Sequence, residues 1–282
     1  MWRLRRKWRH TGLARFAGTS AWTKMPIRIV KTNFMTTAVV WVDSRRRASG
    51  PSDSDFEVGL RETIHMSNAR LRVDKVTFTD SFLTTDAGSN LYFSNGSGGL
   101  SHVSVPEGAY TGTSLAAAIQ TATGRTTTYA ALTNSITHTL AAASQPWLSD
   151  SALEAYSSGF PSGASAEDPK SLNAVLGDGT NSSTQVVWSF VRMSPYNYVF
   201  LRSSRLRCVD HHGPRGTHDI LCSIPLTAGT GAQVEASSPD GLYYDLQGEL
   251  SIRSFDLRLT DYLSRAVNLR GRPLALQLTF DN

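Results

Sequence analysis

The sequence predicts an all-β fold, an antiparallel β-sandwich or jelly roll with one short helix and a basic N-terminal arm. Short runs in which apolar and polar residues alternate recur along the chain, as expected for half-buried strands. Strands do not alternate with long helical segments, which argues against a parallel sheet. Charged residues make up 18% of the chain, below the usual ~25%. Neutral polar residues fill that deficit, as is typical of loop-rich β proteins.

The predicted domain organisation is a basic arm over residues 1–26 followed by a jelly-roll domain over residues 27–282. A chain of 282 residues can bury about 75% of the surface of its unfolded form, so a substantial core is expected. Residues 161–183 are rich in Pro, Gly, Ser and Asn, and this composition predicts a long surface loop within the domain.

The strands of the first half are predicted from runs of alternating or β-branched residues. The phase of the apolar residues changes between Val73 and Val76, which predicts a β-bulge near Lys75. Residues 48–54 are predicted to form a loop. The predicted strands are residues 27–30, 37–42, 56–60, 71–78, 91–93 and 100–105.

A helix interrupts this β pattern after the turn Pro106-Glu107-Gly108. Thr111 or Thr113 is the expected N-cap, because a Thr hydroxyl accepts a hydrogen bond from an unpaired N–H of the first turn. Gly124 is the expected residue just past the C-terminus, where left-handed backbone is needed. The predicted apolar face of the helix comprises Leu115, Ala116, Ile119 and Ala122.

The second half of the chain is again predicted as β-rich, giving about ten strands in total. Asn134-Ser135 is the predicted turn of a hairpin in which His138 is a half-buried strand residue. One helical turn is expected within residues 151–160. The remaining predicted strands are residues 185–192, 198–203, 219–224, 241–246, 255–259 and 274–280.

The charge is distributed very unevenly. Residues 1–47 hold 12 Lys and Arg and a single acid, Asp43, whereas residues 48–282 hold 16 Lys and Arg and 22 acids. Such an arm attracts polyanions: nucleic acid, an anionic membrane or an acidic protein. An unpartnered tail, a transit peptide, and a start at Met25 or Met35 remain open alternatives. The candidate polyanion-binding residues are Arg3, Arg5, Arg6, Lys7, Arg9, Arg45, Arg46 and Arg47.

One group of metal-ligand residues lies within a short stretch near residue 210. Thiolates and neutral imidazoles bind zinc, but the spacing of this group matches no known zinc pattern. A polar loop between two strands is therefore the preferred interpretation, and no cofactor is predicted. The two cysteines are expected to be reduced. The group comprises Cys208, His211, His212, His218 and Cys222.

Catalytic motifs are missing from the sequence. There is no Gly-x-Ser-x-Gly nucleophile elbow, no phosphate-binding P-loop and no Gly-x-Gly-x-x-Gly fingerprint. Carboxylates are scattered singly along the chain. We therefore expect a protein that is not an enzyme.

Three segments carry a resemblance to a viral protein family. They are the strand, turn and helix from Val105 to Ile119, the Pro-terminated strand Asp219 to Pro225, and the closing pair Ser254 to Asp261 with Arg272 to Phe280. In these segments the chain resembles the single jelly-roll penton and minor capsid proteins of double-stranded DNA viruses with double jelly-roll capsids. That group includes virophages, Polinton-like elements and giant-virus relatives.

The resemblance implies a structural component of the virion that is assembled inside the host cell. It implies homopentamers at the vertices of an icosahedral capsid, in contact with the major capsid protein. The basic arm would then face the genome, an inner membrane or an internal scaffold.

Two other functions remain open at this stage. The first is a carbohydrate- or surface-binding β-sandwich with an exposed aromatic platform at Tyr196, Tyr198 or the pair Tyr243-Tyr244. The second is a cupin-like metal enzyme that uses the His and Cys residues near residue 210.

Overall fold

The computed structural model describes residues 37–66, 68–208, 217–227, 229–239, 243–246 and 250–281. The predicted arm, the predicted strand at residues 27–30 and the boundary between residues 26 and 27 lie outside these ranges. Within them, the α-helices are α1 (Gly112–Thr123), α2 (Asp150–Leu153) and α3 (Asn173–Leu176). The strands are β1 (Thr37–Asp43), β2 (Ser49–Ser52), β3 (Asp55–Met66), β4 (Arg70–Thr79), β5 (Asn90–Ser94), β6 (Leu100–Ser104), β7 (Thr127–Ala130), β8 (Ser135–Thr139), β9 (Gly179–Asn181), β10 (Gln185–Trp188), β11 (Tyr198–Arg202), β12 (Ile220–Pro225), β13 (Gln233–Ala236), β14 (Tyr244–Asp245), β15 (Leu250–Thr260) and β16 (Ala275–Asp281).

Eight of the strands form two antiparallel sheets in jelly-roll order. One sheet runs β1-β16-β4-β13, and the other runs β12-β11-β15-β3 with the short β2 at its edge. The hydrogen-bonded pairs are nested along the chain, from the outermost strands to the innermost: β1 with β16, β3 with β15, β4 with β13, and β11 with β12. This nested pairing is that of two Greek keys rolled into a sandwich. The predicted all-β, antiparallel fold class is confirmed.

The two sheets enclose a large apolar core, because each strand turns alternate side chains inward. The predicted bulge in β4 is confirmed: Lys75 pairs with Gln277 but Val73 pairs with Leu278, so Asp74 is the extra residue. The bulge keeps both halves of β4 facing the core despite the phase change. Core residues from both sheets include Val40, Phe56, Leu71, Val73, Val76, Phe78, Val199, Leu257, Leu276 and Phe280.

The connection between β4 and β11, residues 80–197, folds around a second apolar core. It contains the hairpin β5-β6, the four-stranded sheet β7-β8-β10-β9 and all three α-helices of the described residues. The sequence predicted only one clear helix and one extra helical turn, so α3 was missed. The core of this insertion comprises Leu91, Val105, Leu115, Ala116, Ile119, Ile136, Leu140, Trp147, Leu172, Val175, Leu176, Val186, Trp188 and Val191.

Helix α1 begins and ends as its sequence predicts. The Thr111 hydroxyl accepts from the Ser114 N–H while the Ser114 hydroxyl accepts from the Thr111 N–H, a capping box. Gly124 has φ of 67° and ψ of 18°, the left-handed conformation expected after a helix C-terminus.

Three sequence predictions about loops and strands are wrong. Residues 161–183 are not purely a surface loop, because they contain α3 and β9 and contribute fully buried Leu172 and Leu176 to the second core. Residues 48–54 contain β2, which forms a tight hairpin with β3. Strand β13 was not predicted, and the described residues hold sixteen strands where about ten were expected.

The register of the strands places Thr37 and Asp281 at the end of the sandwich opposite the start of the insertion. Thr37 pairs with Asp281 at one end of the first sheet. Ala275 pairs with Thr77 at the other end, from which the insertion leaves after Thr79.

Candidate functional site

An apolar strip lies along the free edge of the first sheet. Strand β1 is the last strand of that sheet, and its only partner among the described residues is β16. Val40 and Val42 point into the core, whereas Val39 and Trp41 point outward and are 49% and 74% exposed. An edge strand that carries a large exposed aromatic residue is a common interaction surface.

The sheet face beside this strip is polar, and its charges are compensated. The carboxylate of Asp74 accepts hydrogen bonds from the Arg72 guanidinium, the Gln277 amide and the Thr279 hydroxyl. Trp41 stands directly opposite Gln277 in the β1-β16 register. A partner that covers Trp41 would therefore meet neutral or paired groups, which lowers the cost of desolvation.

The described part of the candidate polyanion-binding set is a single 3₁₀ turn that follows β1. Arg45 forms a two-nitrogen contact with Asp43, and this guanidinium holds the pKa of that carboxyl below its usual value. Arg47 pairs with Asp53 at 2.7 Å. Among the described residues no carboxylate forms an ion pair with exposed Arg46. Arg3, Arg5, Arg6, Lys7 and Arg9 lie outside the described residues.

The two cysteines are buried in the sandwich core and form no disulfide. Burial raises the pKa of Cys222 to about 11, so its sulfur is protonated at neutral pH. The backbone N–H of Cys208 donates to the carbonyl of His218 at 3.1 Å. His211 and His212 lie outside the described residues. Within the part that is described, no three His, Cys, Asp or Glu side chains cluster closely enough to hold a metal ion.

A cleft of about 580 Å³ lies where the insertion meets the sandwich. One wall comes from residues 147–151 and 173–178 of the insertion, and the other from residues 195–200 and Tyr262. Tyr198 and Tyr262 line it and are each 55% exposed. The volume falls within the range of ordinary small-molecule sites.

The structure separates the aromatic residues that the sequence suggested as a binding platform. Tyr198 is exposed in the cleft, whereas Tyr196 lines it but is buried against Phe82. Tyr243 instead lies beneath the guanidinium of Arg72, 4.9 Å from the ring centre. Tyr244 is half-buried against the sandwich core.

Sequence reasoning missed Trp147 and Tyr262 as cleft residues. They lie far apart in the chain and meet only because the insertion packs against the loop between β15 and β16. That packing depends on ion pairs such as Arg265 Nη1 with Asp168 Oδ1 at 2.6 Å. The residues next to Trp147 and Tyr262 in the sequence show no pattern that predicts this packing.

Comparison with known proteins finds a likeness to a solved viral protein. The chain is similar to the protein in the crystal structure of SeMet-labeled mavirus penton protein, with 11% sequence identity and a TM-score of 0.46. The alignment covers 86% of this chain and 99% of that chain. No family model and no curated protein matches the sequence.

No helix in the described ranges has both the length and the apolar character to cross a bilayer.

Proposed function

We propose that this chain is a capsid building block, a subunit without enzymatic activity that tiles with copies of itself. The single observation that carries the proposal is the apolar strip of Val39 and Trp41 on the open edge of a jelly-roll sandwich. Jelly rolls occur in capsid, lectin and cupin proteins. Of these three classes, the capsid subunit is the one whose function is to bind other protein subunits, and such a contact would cover this edge.

The distribution of charge supports a subunit with an inner and an outer end. Residues 1–36 hold nine Lys and Arg and no acid, whereas the insertion, residues 80–197, holds eight acids and three Lys and Arg. Thr37, which follows the basic segment in sequence, and Thr79, which precedes the insertion, lie at opposite ends of the sandwich. In a closed shell the basic segment would face a polyanion inside, and the acidic insertion would face outward.

The finer assignment is a homopentamer at the vertices of an icosahedral virion, in contact with a major capsid protein. A ring requires two different surfaces on every copy, so the edge of β1 on one copy meets another surface on the next. The basic segment would contact the genome, an inner membrane or an internal scaffold. Localisation in the virion follows from the same proposal.

The test is the mass of the native assembly and its response to Trp41→Ala. We expect a pentameric ring for the unmodified chain and monomers for the variant. Because Trp41 is 74% exposed, its truncation should change the free energy of unfolding by less than about 0.5 kcal/mol.

Leu132→Ala is the matched control, because Leu132 is fully exposed on the insertion, away from β1. This variant should assemble normally. Two results would contradict the proposal. One is an unmodified chain that stays monomeric at high concentration, and the other is a Trp41→Ala chain that still forms rings.

A further inference from the structure

The cleft between the insertion and the sandwich is rich in aromatic and neutral polar side chains. Tyr198 and Tyr262 line it, and each is 55% exposed. No lysine, arginine or histidine is among the described residues that line it, and its only charged side chains are Asp150 and Asp178. Such a lining disfavours phosphate, sulfate and other anions, so a ligand must be neutral or cationic.

Asp150 is held in a fixed orientation at the floor of the cleft. Its Oδ1 accepts from the Ser171 hydroxyl at 2.6 Å and from the Asn173 amide nitrogen at 2.7 Å. Its Oδ2 receives no hydrogen bond from the described residues. Because the first oxygen is already fixed, the second is oriented in advance for a donor on a ligand.

Two residues of the cleft lining also carry unpaired polar atoms, but these atoms are buried. The indole N–H of Trp147 and the amide oxygen of Asn173 have no hydrogen-bond partner among the described residues and almost no accessible surface. A ligand in the cleft would therefore contact the exposed tyrosines and Asp150, and not these two atoms.

We propose that this cleft binds a neutral saccharide. A sugar ring offers an apolar C–H face that packs on the exposed rings of Tyr198 and Tyr262. Its hydroxyls both donate and accept, so they can donate to the Asp150 Oδ2, to which no described residue donates, and accept from the hydroxyls of Tyr198 and Tyr262.

A cationic peptide fits this set of groups less well than a saccharide does. Ammonium and guanidinium groups donate hydrogen bonds but do not accept them, so they cannot accept from the hydroxyls of Tyr198 and Tyr262 in the cleft. One of the two carboxylates, Asp150, already has an oxygen occupied by neutral donors. The mixture of donors and acceptors therefore matches hydroxyl groups more closely than it matches a positive charge.

The experiment titrates the full chain with four neutral oligosaccharides, and ligand-observed NMR and calorimetry report binding. The probes are maltotriose, cellotriose, N-acetylchitotriose and N-acetyllactosamine, with singly charged sialyllactose and a hexa-arginine peptide as anionic and cationic counter-probes. We expect one or more neutral probes to bind with one-to-one stoichiometry. Tyr198→Ala and Tyr262→Ala should each weaken that binding by about tenfold, the loss of one ring contact.

Trp41→Ala is the matched control, because it removes an exposed aromatic residue at the edge of β1 and leaves the cleft unchanged. Its saccharide affinity should equal that of the unmodified chain. Circular dichroism and the thermal midpoint establish that each variant is folded before it is titrated. Asp150→Asn provides a second variant that keeps the side-chain shape and should weaken binding without removing an aromatic ring.

Three results would overturn the proposal. They are binding of none of the neutral probes, an affinity of both tyrosine variants equal to that of the unmodified chain, or binding of hexa-arginine alone. The last result would assign the cleft to a cationic peptide. Failure here is separate from failure of the capsid proposal, because ring assembly depends on Trp41 and saccharide binding on Tyr198 and Tyr262.

Discussion

At the scale of single residues, His138 is the most constrained ionisable side chain of the insertion. It is 1% exposed, stacks on Trp188 at 6.3 Å between ring centres, and its Nδ1 lies 2.8 Å from the Thr127 hydroxyl. Burial, followed by the nearby charge of Arg125, lowers its pKa to about 4. The sequence placed this histidine correctly in a strand but predicted only half-burial. Its full burial depends on ring contacts from a strand fifty residues away in the chain.

The lowered pKa of His138 should make the insertion sensitive to acid. Between pH 6.5 and about pH 4 the unfolded chain binds a proton at this site that the folded chain does not. The free energy of unfolding should therefore fall as the pH falls through this window, by roughly 3 kcal/mol in total. Urea unfolding at several pH values across the window measures this dependence.

His138→Gln is the variant that isolates this effect, because carboxylates elsewhere also titrate near pH 4. It should be less stable at neutral pH but should lose less stability on acidification than the unmodified chain. Equal pH dependence in the two proteins would show that the imidazole is not the acid-sensitive group.

At the scale of elements, two arginines of the loop between β15 and β16 attach the insertion to the sandwich. Arg265 contacts Asp261 and Asp168, each at 2.6 Å, and donates to the carbonyl of Ala87 at 3.2 Å. Arg270 contacts Asp86 at 2.6 Å. Asp261 is only 1% exposed, and beside the backbone N–H groups of Leu263 and Arg265 the guanidinium of Arg265 is the cation that compensates its buried charge.

Replacing Arg265 by Ala should lower the free energy of unfolding by about 3 kcal/mol, because it leaves the Asp261 carboxylate buried and unpaired. Urea unfolding measures the loss. Hydrogen exchange should also accelerate first in residues 84–92, because this segment contains Ala87, whose carbonyl accepts from Arg265.

Arg272→Ala is the matched control, since Arg272 is exposed in the same loop and forms no ion pair among the described residues. Its effect should be below about 0.5 kcal/mol. Equal effects of the two substitutions would mean that the loss at position 265 comes from the loop backbone and not from the buried pair.

The elements that sequence reasoning predicts are those whose own residues carry a period. The closing strands alternate cleanly from Phe255 to Leu259 and from Leu274 to Phe280, and both exist as predicted. α3 has four residues and β9 has three, and elements this short show no period. Leu172 and Leu176 are buried by distant partners, which no local pattern reveals.

At the scale of the whole molecule, strand order is the property that the sequence leaves undetermined. Alternation establishes that β4 has an inward face, but it does not identify β16 and β13 as its two neighbours. That order arises when the chain folds back on itself as one long ribbon. The cleft follows from the same topology, because Trp147, Tyr198 and Tyr262 belong to segments that only the completed sandwich brings together.

The uneven distribution of charge along the chain leads to a last prediction, about the basic N-terminal segment. Deleting residues 1–25 removes seven of the chain's Lys and Arg and no acid. Because every described strand begins at or after Thr37, the sandwich should keep its thermal midpoint. Binding to a polyanion such as heparin or single-stranded DNA should weaken strongly and lose most of its salt dependence, since fewer counterions are released.

Arg46→Ala, at an exposed guanidinium next to the sandwich, is a comparison variant that should reduce the same salt slope by at most about one unit. If the deletion leaves polyanion affinity and its salt dependence unchanged, the positive charge that matters lies on the sandwich. The inward orientation proposed for the basic end would then lose its support. If the deletion abolishes binding but rings still form, polyanion contact and assembly are carried by different parts of the chain, the first 25 residues and the edge of β1.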